Sequence, residues 1–248
     1  MFNNKMDVKK WLNEMSIENY TINDNLTVDV DGDVSLFRKE LKSIPVQFGV
    51  VNGDFNCAVN QLKSLLGCPK IVVGDFYCYK NKITSLVMAP EKVYGSFDCG
   101  SNKLTSLKGC PKVIKTDFSC PDNNLLSLND GPEEVGGSFS CYSNKLTSLD
   151  GIPREISGTL NCAHNFLNSF KNFLVSVHRI NFFNNKINYE ELINFNTRIL
   201  ENELNSDFGN YEKFIGEVEL LKNIEEGEWL LKQTCSFNNE KNTHRRKY

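Results

Sequence analysis

From Gly53 onward, apolar and polar positions recur with a period of 21 residues, and the spacing changes within each period. Blocks open at Gly53, Gly74, Gly95, Thr116, Gly137 and Gly158; a degenerate block opens at Gly32 and a last one, after a one-residue deletion, at His178. In the block spanning 95–115, Phe97 and Cys99 alternate with Ser96, Asp98 and Gly100, the signature of a short half-buried strand. Leu104 and Leu107 follow at a spacing that needs a turning backbone. Pro111 then fixes one backbone angle, and Val113 or Ile114 points inward again. Each period therefore predicts one strand, one turn and one return segment. A fixed period of this length predicts a solenoid, in which no coil buries its apolar side alone.

Three further positions repeat. Position 8 holds Asn60, Asn81, Asn102, Asn123, Asn144, Asn165 and Asn185, expected to satisfy backbone groups freed at each turn and to form a ladder. Position 12 holds Ser43, Ser64, Ser85, Ser106, Ser127, Ser148 and Ser169, assigned to turn hydrogen bonds because seven identical catalytic serines would be chemically pointless. Position 5 holds six of the nine cysteines, Cys57, Cys78, Cys99, Cys120, Cys141 and Cys162, with Leu36 and Phe182 in the outer blocks. A site that exchanges Cys for Leu or Phe is a buried apolar site. All nine thiols are expected to be reduced, and zinc is not expected, because no C-x-x-C pair occurs.

The pattern F-x-C-x-x-N-x-L-x-x-L, as in Phe97, Cys99, Asn102, Leu104 and Leu107, resembles that of the leucine-rich repeat family. Its short period and its proline before each strand look like the bacterial type, and its Cys-Pro-Lys and Asn-Lys-Leu-Thr-Ser-Leu runs look like repeats in tailed-phage proteins. The resemblance covers about residues 32–187. It implies a leucine-rich-repeat solenoid of about eight coils, with a parallel β ribbon and mostly irregular return segments. One departure is that Val113/Ile114 lies farther from Phe-type positions than the family spacing, which predicts a bulged strand entry.

Residues 1–31 are expected to cap one end, with an amphipathic helix over Asp7–Met15 (Val8, Trp11, Leu12 and Met15 on one face) and edge strands within 20–31. Leu192, Ile199, Leu200, Leu204, Phe214, Val218 and Leu221 predict a helical cap over 188–232, followed by a disordered tail over 233–248.

Side chains alternating with the buried Phe and Cys face outward; in the resembled family that is the recognition surface. Asp33, Asp54, Asp75, Tyr77, Tyr79, Asp98, Asp117 and Tyr142 are the candidate partner-binding residues, the tyrosines serving as anchors for another protein with a basic patch. A solvated ladder with no partner is the alternative for this face. Net charge of −3 excludes a global basic field, so nucleic acid is not an expected partner, and the basic run from His244 to Lys247 reads as a solvated end. No apolar stretch suits a membrane span, and the first residues do not read as a secretory signal, so the expected location is cytoplasmic. No catalytic, cofactor or metal site is expected: His164 occupies a variable position, and Cys235 has no histidine near it in sequence. The expected function is a non-enzymatic protein-binding module, in the phage or prophage setting one that inhibits or redirects a host protein such as a defence factor. The alternative is a structural virion or scaffold component, and a less favoured one an effector-type enzyme.

Overall fold

A computed structural model describes residues 1–169, 175–187, 216–222 and 229–235. The chain winds as a parallel β-solenoid in which corresponding residues of successive coils pair directly. Phe55 pairs with Phe76, Phe76 with Phe97, Phe97 with Phe118 and Phe118 with Phe139. These pairs form the first ribbon, whose rungs are Val34–Ser35, Phe55–Asn56, Phe76–Tyr77, Phe97–Asp98, Phe118–Ser119 and Phe139–Ser140, continued by Glu155–Asn161 and Ser176–Asn181. Eight rungs make about seven turns.

The return segment is more regular than expected. A second parallel ribbon runs through Gln47–Val51, Ile71–Val72, Lys92–Val93, Val113–Ile114 and Glu134–Val135, in which one residue faces out and the next is buried. The two ribbons meet at a corner. In the strand Glu155–Asn161 they fuse, and the pairing is irregular between Ile156 and Thr159.

Between the ribbons lies a continuous apolar column. Rings of Phe55, Phe76, Phe97, Phe118 and Phe139 follow one another at centroid distances of 5.8, 5.1, 5.9 and 5.1 Å. Phe48 extends the column toward the N-terminus and meets Trp11 of the helix Lys5–Glu14 at 6.4 Å. Burying one such ring contributes roughly 2–3 kcal/mol, so the column is a major share of the driving force for stacking. Cys57, Cys78, Cys99, Cys120, Cys141 and Cys162 are fully buried beside it, as unpaired thiols. Low polarity around them pushes the thiols of Cys78, Cys99, Cys120 and Cys162 well above their usual range, and that of Cys141 to about 12.

The asparagines bind each coil to the one before it. Asn102 Nδ2 donates to the carbonyls of Cys99 and Gly100 in its own coil and, at 3.0 Å, to that of Cys78 one coil back; its Oδ1 accepts the N–H of Ile83. Asn60, Asn81, Asn123, Asn144 and Asn165 repeat this set. Among the described residues, no buried side-chain nitrogen or oxygen lacks a partner. The serine assignment holds at four positions: the hydroxyls of Ser85, Ser106, Ser127 and Ser148 accept the N–H two residues on.

Two positions of the repeat use left-handed backbone, the first in eight coils and the second in five of the described ones. Position 7, just before the asparagine, has φ of 51–56° at Arg38, Val59, Lys80, Ser101, Asp122, Ser143, His164 and Asn184. The second closes the return turn at Gly67, Met88, Gly109, Asp130 and Gly151. There the N–H of the next residue reaches back three residues, as Cys110 does to the Leu107 carbonyl at 2.9 Å.

At the N-terminal end Asn4 caps the helix by accepting the Asp7 N–H at 2.9 Å, and Val8, Trp11 and Leu12 join the core. The expected edge strands are an antiparallel pair, Tyr20–Ile22 and Thr27–Val30, the second of which starts the second ribbon. The C-terminal end differs from expectation. Val218 and Leu221, placed on a helix by their spacing, lie in the strand Gly216–Lys222, which pairs antiparallel with Trp229–Cys235. That second strand pairs antiparallel with Ser176–Asn181, so the described part of this end is a β-hairpin added to the last rung. Val218, Leu220 and Leu221 belong to one short apolar run, and such a run suits either element when no neighbouring repeat fixes the register. Residues 233–235, assigned to a tail, belong to this hairpin. The other residues on which the helical cap and the tail were placed lie outside the described residues.

Candidate binding surface

All eight candidate residues lie on the outward face of the first ribbon, because their positions alternate with the buried Phe and Cys. They do not form one uniform acidic strip. At position 2 each aspartate spends one carboxylate oxygen inside the fold. Oδ1 of Asp33 accepts the N–H of Asp54, Oδ1 of Asp54 that of Asp75, Oδ1 of Asp75 that of Ser96 and Oδ1 of Asp117 that of Ser138. Parallel strands joined through a corner leave these N–H groups without a ladder partner, and the aspartate of the preceding coil supplies one. This forward bond was not foreseen in the sequence. Its signal was the glycine that opens the next block, since a Cβ at Gly53, Gly74, Gly95 or Gly137 would overlap Oδ1 of the preceding aspartate.

The middle of the face is the most organised part. The Tyr77 hydroxyl donates to Asp75 Oδ2 at 2.6 Å, and the Tyr77 and Tyr79 rings meet edge to face at 6.3 Å. That hydrogen bond, together with partial burial and the Asp75, Asp54 and Asp98 charges, raises the Tyr77 phenol well above its usual range. One coil on, Asp98 is half buried and Oδ1 accepts the Gly100 N–H at 2.8 Å. Burial raises its carboxyl, while the Gly100 N–H and the Ser119 hydroxyl pull the other way. Tyr142 stands three coils beyond Tyr79, roughly 14 Å away at strand spacing. Partial burial and Asp122 beside it raise its phenol. Between these two tyrosines, position 6 is filled by Gly100 and Pro121, both buried, which lowers the surface there.

The arrangement can present two fixed aromatic rings and several carboxylate oxygens to a cationic group. His164 is exposed at a left-handed position, its Nδ1 2.9 Å from Asn184 Nδ2 and its ring against Phe183 at 5.5 Å. Among the described residues no group of three or more His, Cys, Asp or Glu side chains could hold a metal ion, and no helix is long and apolar enough to cross a membrane. His244 and the basic run to Lys247 lie outside the described residues. Cys235 ends the strand Trp229–Cys235.

No protein-family model matches the chain, and neither the search of curated proteins nor that of solved structures gave a match.

Proposed function

We propose that this chain is a non-enzymatic binding module, a solenoid of leucine-rich-repeat type that captures another protein through a basic patch. The observation that carries the reading is the Tyr77–Tyr79 pair. Its rings are held outward by the Asp75 hydrogen bond and by each other, so little side-chain freedom is left to lose on association. Aromatic anchors fixed before contact, surrounded by carboxylates, suit arginine or lysine side chains, which gain from both ring faces and charge. The leucine-rich type is supported by the position-8 asparagine bonding carbonyls of its own and the preceding coil. A phage or prophage protein acting on a host factor is the setting the repeat motif suggests.

Affinity purification of the tagged chain from a bacterial lysate tests this. A stoichiometric partner that is retained by the wild type and lost from Tyr77→Ala/Tyr79→Ala, with melting unchanged, is the expected result. Retention of every partner by that variant, or recovery of the chain only in particles of itself, overturns it.

A further inference from the structure

A second surface lies around the corner from the tyrosines. Six large apolar side chains, Leu66, Val73, Val87, Met88, Tyr94 and Val113, are left 37–61% exposed, and all fall at positions 14–21 of three successive coils. Exposed apolar side chains scattered singly need no explanation, but a contiguous group does. Two of them, Tyr94 and Val113, line an open groove of about 620 Å³ together with Pro90 and Pro111. The groove departs from the charge of the chain as a whole. The protein carries −3, yet Lys92, Lys108, Lys112 and Lys115 line this groove against only Glu91 and Asp130. Lys112 is engaged with Glu133 at 3.3 Å; the other three lysines form no ion pair among the described residues.

We infer that this groove is a docking site for an extended acidic segment of a partner protein, carrying an apolar side chain between its carboxylates. The apolar side chain would cover Tyr94 and Val113, and flanking Asp or Glu would meet Lys92, Lys108 and Lys115. Complementary charge around an apolar centre fixes both the sign and the register of such a segment. The inference is independent of the strand-face reading, because the groove shares no residue with the tyrosine face.

The test uses the full chain and a fluorescein-labelled peptide, Glu-Asp-Glu-Leu-Phe-Glu-Asp-Glu, read by anisotropy, with a version carrying lysine at each acidic position as control. Wild type should bind the acidic peptide and not the basic one. Affinity should fall at least tenfold in Lys92→Glu/Lys115→Glu and, separately, in Tyr94→Ala, and should be unchanged in Tyr77→Ala/Tyr79→Ala. Melting curves of these surface variants should match wild type. No binding of the acidic peptide, or equal binding by both groove variants, overturns the inference. So does concentration-dependent self-association abolished by Lys92→Glu/Lys115→Glu, which would make a second copy of the chain the occupant.

Discussion

The Asp117 carboxylate accepts the Ser138 N–H at 2.7 Å from a place that any side chain at Gly137 would need. The hydrogen bond and the glycine are therefore one feature, written across two coils. The exception supports this: the one block that opens with Thr116 follows a coil with Ser96 in place of aspartate, and their hydroxyls lie 2.8 Å apart. Gly137→Ala should thus cost about 1–3 kcal/mol, as overpacking does. Combining it with Asp117→Ser should recover part of that loss. A double-mutant cycle by urea denaturation should give a coupling of at least about 1 kcal/mol; additive costs would contradict the pairing.

Asn102 satisfies groups on two coils, so its loss should be felt well beyond one hydrogen bond. Asn102→Ala leaves the buried Ile83 N–H without its acceptor and the Cys78 carbonyl with Asn81 Nδ2 alone, a cost of about 1–3 kcal/mol. Asn102→Asp keeps the acceptor but turns a carboxylate toward the Cys78, Cys99 and Gly100 carbonyls. It should destabilise at least as much at neutral pH. Lowering the pH toward 4 should restore part of the loss, since the folded variant would favour the protonated acid. Melting temperatures at pH 7 and pH 4 decide the point.

Left-handed backbone is occupied by costly residues at two places. Val59, β-branched, has φ of 56°, and Met88 has φ of 71° where other coils place Gly67, Gly109 and Gly151. Val59→Asn and Met88→Gly should each stabilise the fold by about 1 kcal/mol, raising Tm by a few degrees. Gly109→Ala should do the reverse, since its Cβ would sit 2.6 Å from the Leu86 carbonyl.

Buried thiols make the fold sensitive to base. Burial raises Cys68, Cys78, Cys99, Cys110, Cys120, Cys141 and Cys162 from the ordinary 9.0, with Cys141 reaching about 12. Below pH 9 the stability linked to these groups is fully present. Above it the unfolded chain releases protons that the folded chain keeps, so stability falls, by about 1.4 kcal/mol per pH unit for each thiol, until the folded value is passed. Tm should be flat from pH 7 to about 8 and drop steeply toward pH 11. Replacing Cys78, Cys120 and Cys141 together by valine should flatten that slope, and an unchanged slope would show that the thiols are not its source.

What could be read from the sequence followed from repetition. Phe97 and Cys99 were assigned inward because seven neighbouring blocks showed the same choice, and the Asn102 ladder was expected for the same reason. Repetition failed where its units interact in less obvious ways. The sequence offers the aspartates at position 2 to a partner protein or to solvent, since their partner within the fold is a backbone N–H 21 residues later with no side-chain signature except the following glycine. Position 7 looked variable because its constraint is on φ, which Arg38, Val59 and His164 satisfy alike without sharing chemistry. Beyond the last repeat, Val218 and Leu221 stand in a short apolar run with Leu220, and a run of that length does not by itself separate a helix from a strand. The groove near Tyr94 was missed because its lysines and apolar residues come from different blocks.

The four forward aspartate bonds span 21 residues each and the backward bonds of Asn60 to Asn165 keep one register, and this makes the molecule's length a quantity that can change only in whole steps. Excising 116–136 would bring Phe97 onto Phe139, set Ser96 against Gly137 and offer the Cys99 carbonyl to Asn144, so the shortened chain should reseal and melt cooperatively. Excising 95–115 removes the same number of residues but places Asp75 against Thr116, where the threonine side chain claims the carboxylate's position. Two deletions of equal size would then differ in outcome because of a single side chain, and the order in which nearly identical units are strung together is itself part of what this chain encodes.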